Sequence, residues 1–106
     1  MSFIDLNNIE EKEIISGYNV RFVHSENMTF AFWKVKEGAS LPEHSHFHEQ
    51  VACVVEGEFE LNIEGNKQVC KPGSVAIIPP NAKHSGKAIT DCRLIDTFYP
   101  VREDYK

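Results

Sequence analysis

Gly38-Ala39-Ser40-Leu41-Pro42-Glu43-His44-Ser45-His46-Phe47-His48-Glu49-Gln50-Val51-Ala52-Cys53-Val54-Val55-Glu56-Gly57 is the stretch on which the fold turns. Side chains on a strand alternate between its two faces. A regular strand here puts His44, His46 and His48 on one face, continued by Gln50 and Ala52. Phe47, Val51, Cys53 and Val55 fall on the other. Imidazoles at alternate positions converge, which is what a metal ion needs from a strand. Val51 to Val55 is a continuous apolar run, which predicts a strand buried on both faces.

The same pattern extends outward. Phe59, Leu61 and Ile63 alternate with Glu58, Glu60, Asn62 and Glu64, the mark of a half-buried strand with one wet face. Met28 to Val35 has strand composition, Val75 to Ile78 reads as a second doubly buried strand, and Arg93 to Tyr99 as a late strand stopped by Pro100. Turn signals separate these runs at Ser16-Gly17, Ser25-Glu26-Asn27, Glu56-Gly57, Glu64-Gly65-Asn66, Lys71-Pro72-Gly73 and Pro79-Pro80-Asn81. Short runs between such turns predict an all-β sandwich or barrel. Asn8-Ile9-Glu10-Glu11 resembles a capping box, but Gly17 limits any helix there to one turn, and Ile14-Ile15 suits a strand equally well.

A chain of 106 residues is expected to form one domain over 1–106, with enough core to fold unaided. Its net charge of −5, with no block of Lys or Arg, argues against nucleic acid and anionic membrane as partners. Met1 to Asp5 lacks the basic flank and apolar run of a secretion signal, so the expected location is the cytoplasm. Cys53, Cys70 and Cys92 are odd in number, have no CxxC spacing and sit in or beside strand-like runs. They read as small buried hydrophobes.

His84 joins the histidine row. The Val75–Ile78 strand ends in a proline turn and delivers this one imidazole, which with the His44 row makes a ligand of a site closed across a barrel.

These residues carry a resemblance. Gly38, five residues, His44-x-His46, three residues, Gln50, six residues and Gly57 resemble the first cupin motif. Gly73, five residues, Pro79-x-Asn81, two residues and His84 resemble the second. The resemblance implies a double-stranded β-helix, the cupin jelly-roll barrel, with one metal ion held by His44, His46, Gln50 and His84. Gln50 departs from the usual Glu, and Asn81 replaces the usual Gly. All four donors are then neutral, so the ion keeps its full charge and favours polarising an oxygen over activating O2. Nickel, iron, manganese, cobalt and zinc all suit such a set. His48 has ligand parity, but four protein donors leave it little room, and a local bulge would turn it away.

His44 to Gln50 and the tail Asp96-Thr97-Phe98-Tyr99-Pro100-Val101-Arg102-Glu103-Asp104 further resemble the KdgF group of small cupins. That resemblance implies metal-dependent ring opening of 4,5-unsaturated uronate monosaccharides to 5-keto-4-deoxyuronate, in pectin and alginate breakdown. It implies an acid/base role for Asp96, with Phe98 and Arg102 beside it, and a small anionic sugar as substrate. The residues agree chemically. Leu94, Asp96 and Phe98 share a strand face, and an acid between two apolar neighbours is desolvated and its pKa raised. Such an acid exchanges protons near neutral pH. Arg102 reads either as a solvated charge beside Glu103 and Asp104 or as the positive handle an anionic sugar needs. Small cupins commonly pair through N-terminal strands, which implies a homodimer. Two other functions share the motifs: a small cupin dioxygenase, and a non-catalytic sugar- or metal-binding module.

Overall fold

The computed structural model describes residues 2–106. These residues form ten strands: β1 (Lys12–Ile15), β2 (Tyr18–His24), β3 (Thr29–Val35), β4 (Ser40–His44), β5 (Glu49–Glu56), β6 (Phe59–Ile63), β7 (Asn66–Cys70), β8 (Val75–Ile78), β9 (His84–Ala88) and β10 (Cys92–Tyr99). One sheet has the order β1-β2-β3-β10-β5-β8 and the other β4-β9-β6-β7. Every pairing is antiparallel. The two sheets form the jelly-roll barrel that the motifs imply. No helix among the described residues is long and apolar enough to cross a membrane.

Alternation builds the core. Phe59 and Leu61 of β6, Cys92 and Leu94 of β10, Val54 of β5 and Ile78 of β8 meet in one buried cluster with Tyr18 and Val35. Val20, Ala31 and Phe98 form a second cluster nearer the C-terminus, with Phe22, Trp33 and Tyr105 packed against it. Cys70 and Cys92 are buried, Cys53 is half-buried, and all three are free thiols.

Two turns explain residues of the motifs. Gly57 has φ +84°, and a Cβ there would lie 2.1 Å from the Asp91 carbonyl oxygen, so glycine is required. Asn81 has φ +66°, the left-handed region where the family places Gly and where Asn is the tolerated substitute. Its N–H donates to the His46 carbonyl at 2.7 Å, which ties the second motif to the first.

The structure corrects two local expectations. The apolar runs of β5 and β8 are not buried on both faces: Val75 is 61% and Ile77 64% exposed, while Ile78 is fully buried. β8 is an edge strand, and its outward Val75 and Ile77 stay open to solvent. An apolar run shows that both faces are apolar, not that both are covered. At the other end, the helical turn is a 3-10 turn at Leu6–Asn8, capped by Asp5, whose Oδ1 accepts the Asn7 N–H at 2.9 Å. Glu11 instead lies beyond the turn and pairs with Arg21 and Lys34.

Candidate metal centre and acidic cavity

β4 and β9 pair so that His44 lies directly opposite His84, with ring centroids 4.2 Å apart. His46 follows the end of β4 and stands 5.1 Å from His84 and 5.8 Å from His44. One nitrogen from each of the three rings lies within 4.8 Å of the others, a grouping that could hold a metal ion.

Backbone carbonyls fix the tautomers. The Nδ1–H of His44 donates to Pro42 O at 2.9 Å, that of His46 to His48 O at 3.1 Å, and that of His84 to Ala82 O at 2.9 Å. A neutral ring with its proton on Nδ1 leaves Nε2 as a lone pair. Burial, with Arg102 and His84 nearby, holds His46 neutral down to about pH 4, and burial likewise lowers His84. His84 Nε2 is buried with no hydrogen-bond partner. His46 Nε2 faces Gln50 Oε1 at 3.1 Å, two lone pairs towards each other. An orphaned buried nitrogen and an acceptor–acceptor contact are both relieved by a cation, so these residues fit a metal ion.

His48 is absent from this grouping. β4 stops at His44 and β5 starts at Glu49, so residues 45–48 are not regular strand and face parity fails between them. His48 is buried and stacks on Phe47 at 4.0 Å. Its ring turns towards the Val101 backbone and the Arg102–Asp104 pair.

Asp96 stands on the inner face of β10, with Ala31 of β3 and Ala52 of β5 directly beside it. Ala52 lines the cavity beside the acid, and Ala31 is packed beneath it with Val20 and Phe98. Burial pushes the Asp96 pKa up from 3.8 to about 6, while the Gln50 amide, the Trp33 indole and Arg102 restrain the rise. The Trp33 N–H lies close enough to favour the Asp96 carboxylate without making a hydrogen bond of standard geometry. Gln50 thus faces both ways, its oxygen to His46 and its amide towards Asp96.

Arg102 is buried, not solvated. Its guanidinium lies 4.7 Å from the Phe98 ring centroid and 4.1 Å from that of Tyr105. Its backbone N–H donates to the fully buried Thr29 hydroxyl at 2.9 Å.

His44, His46, His84, Gln50, Asp96, Phe98 and Arg102 all line one cavity, which encloses about 830 Å³ including its open mouth. Much of its lining is apolar, including Leu41, Phe59, Leu61 and Leu94. Trp33 and Tyr105 also line it, and sequence reasoning missed both. For Trp33 the signal was available: alternation sets it opposite in sense to Phe30 and Phe32, on the same face as Ala31 and Val35. Tyr105 follows the last strand, where no periodicity points.

Comparison with known proteins agrees with this geometry. Residues 31–98 match the cupin domain family. Over 71 residues the chain is 38% identical to the pectin degradation protein KdgF of Dickeya dadantii (strain 3937), covering 65% of this chain. The match spans 64% of that relative's length. KdgF from Halomonas sp. superposes with a TM-score of 0.94 at 28% identity, covering 100% of this chain and 99% of that one. An RmlC-like cupin from Shewanella frigidimarina also gives 0.94, at 32% identity over 100% and 96% of the two chains. The barrel, both histidine motifs and these relatives together make the chain a member of the cupin family.

Proposed function

We propose that the protein opens 4,5-unsaturated hexuronate monosaccharides to linear 5-keto-4-deoxyuronates, a KdgF-like role in the breakdown of pectin or a related polyuronate. The observation that carries this reading is the buried Asp96, its pKa near neutrality, sharing one cavity with a buried arginine and three convergent imidazoles. His44, His46, His84 and Gln50 would hold one divalent transition-metal ion: nickel, iron, manganese, cobalt or zinc. When bound, the ion supplies Lewis acidity and positive charge for the sugar's oxygens.

The substrate is a cyclic enol ether with a carboxylate on C5. Asp96, protonated up to about pH 6, gives its proton to C4 as the C4=C5 electron pair forms the new C–H bond. Positive charge develops on C5 and is shared by the ring oxygen. Water adds to C5 and returns a proton to the Asp96 carboxylate. The resulting hemiketal opens as the C5–ring-oxygen bond breaks: C5 becomes the ketone, the ring oxygen takes up the hydroxyl's proton, and the gem-diol this leaves on C1 loses water to give the aldehyde, so no water is consumed overall. Arg102 orients the substrate carboxylate, and Phe98 forms an apolar wall that limits water to the reacting face.

The unsaturated sugar absorbs in the near ultraviolet through its conjugated carboxylate, so loss of absorbance reports turnover. Metal-loaded protein should accelerate that loss, and Asp96→Asn should abolish the acceleration while retaining metal. Arg102→Ala should act mainly on KM, since it removes a contact common to ground and transition states. No acceleration above the spontaneous rate, with either galacturonate- or mannuronate-derived sugar, would refute the assignment.

A homodimer is part of the same proposal. Its support is the outer face of the six-stranded sheet, where Val75, Ile77 and Val55 are exposed and Val51 and Ile95 lie in register with them. Sheet faces of this kind are closed by stacking. A monomer mass in light scattering at micromolar concentration would overturn it.

A further inference from the structure

We propose that Asp104 is a positioning residue: it locks the Arg102 guanidinium so that the free end of its fork is presented to a carboxylate in the cavity. This rests on Arg102 being the carboxylate handle and names what holds that handle in place.

The C-terminal turn is built around this arginine. After β10 the chain folds back through Val101 into a 3-10 turn at Glu103–Tyr105. Arg102 Nε donates to Asp104 Oδ1 at 3.0 Å and Nη2 to Asp104 Oδ2 at 2.8 Å, a two-point pair. Phe98 and Tyr105 hold the guanidinium by cation–π contact, and Tyr105 stacks on Phe22 at 4.5 Å. The Arg102 backbone is pinned by Thr29, whose hydroxyl also meets His24 Nδ1 at 2.8 Å.

A guanidinium has five N–H donors arranged as a side-on fork, Nε with Nη2, and an end-on fork, Nη1 with Nη2. Asp104 occupies the side-on fork completely. Among the described residues Nη1 of the end-on fork makes no hydrogen bond of standard geometry, although the Tyr105 hydroxyl lies close to the guanidinium, and Arg102 lines the cavity. A planar fork so held meets a carboxylate bidentately with little rotamer entropy left to lose.

Asp104 has a second effect of opposite sign. It neutralises Arg102, and by Coulomb's law alone its removal should strengthen binding of an anion. The Arg102 side chain is 8% exposed but that of Asp104 is 56% exposed, so solvent screens the aspartate and weakens that effect. Orientation therefore outweighs charge, and loss of Asp104 weakens carboxylate binding.

The test uses Asp104→Ala and Asp104→Asn in the full chain, with binding of saturated D-galacturonate read by calorimetry and neutral D-galactose as control. Both variants should bind galacturonate about tenfold more weakly, with galactose binding unchanged. The Arg102 Nε–H resonance, sharp in the parent, should broaden or average in both variants. In turnover of the unsaturated uronate, KM should rise about tenfold and kcat stay within about twofold. Asp104→Glu, which can re-form the pair, should recover part of the affinity. Unchanged or tighter galacturonate binding would overturn the proposal, because charge rather than orientation would then decide. A parent protein inactive on unsaturated uronates, whose galacturonate binding still weakens on removing Asp104, would refute the ring-opening reading and leave this one standing.

Discussion

Replacing Asp96 by Asn should stabilise the metal-free protein at neutral pH while removing the proposed proton donor. The native carboxyl has its pKa pushed from 3.8 to about 6 by burial. Between about pH 4 and pH 6 the native state keeps a proton that the unfolded chain has released, so stability falls as pH rises through this window and then levels off. A shift of about two units at 1.36 kcal/mol per unit makes the buried carboxylate worth about 3 kcal/mol of lost stability above pH 6. Asn keeps the shape and an acceptor for Gln50 but carries no charge, so it recovers most of this loss. For a domain of this size that is a rise in Tm of roughly 10 °C or more. Urea melts of both proteins with chelator present, from about pH 4 to pH 8, measure the difference directly. His46, whose pKa is lowered to about 4, gives the opposite slope, since stability is lost as pH falls from about 6.5 towards 4. That contribution is common to both proteins and cancels in the difference. A stability difference that is constant across the window, or an Asn variant less stable than the parent at pH 8, would refute the claim that Asp96 is desolvated.

Other outcomes follow from the same geometry. His84→Ala or His46→Ala should lower metal content in elemental analysis, and full stoichiometric metal in both variants would show the site to be misassigned. With burial keeping His46 unprotonated to about pH 4, metal should remain bound at pH 5, where solvated histidines release it; dialysis followed by metal assay decides this. Gln50→Glu should still bind metal, but it replaces a donor to Asp96 by a second carboxylate. The Asp96 pKa should rise further, and the pH–rate profile should shift upward with a lower kcat.

A good deal of the site was already visible in the chain. Motif spacing put His44, His46, Gln50 and His84 together on paper, and the structure sets them around one cavity. The alternation of Leu94, Asp96 and Phe98 announced an acid among apolar residues, because strand parity holds wherever a strand is regular. Parity misled where the strand broke: between His44 and Glu49 the chain crosses from one sheet to the other, and His48 leaves the histidine row for the C-terminal turn.

Local patterning, which depends only on the two-residue period of a strand and the φ preferences of Gly, Asn and Pro, determined the all-β class and the turns, while motif spacing, not parity, picked out His44, His46 and His84. Tertiary structure alone decided what depends on contacts between distant residues. It chose which apolar face is covered and which, as at Val75 and Ile77, stays open, because both faces look alike in sequence. It placed Trp33 and the alanines 31 and 52 around Asp96 through the registers of β3, β10 and β5. It buried Arg102 between Phe98 and Tyr105 with Asp104 on its side-on fork, because burial and orientation of a charge are set by the neighbours that folding brings to it.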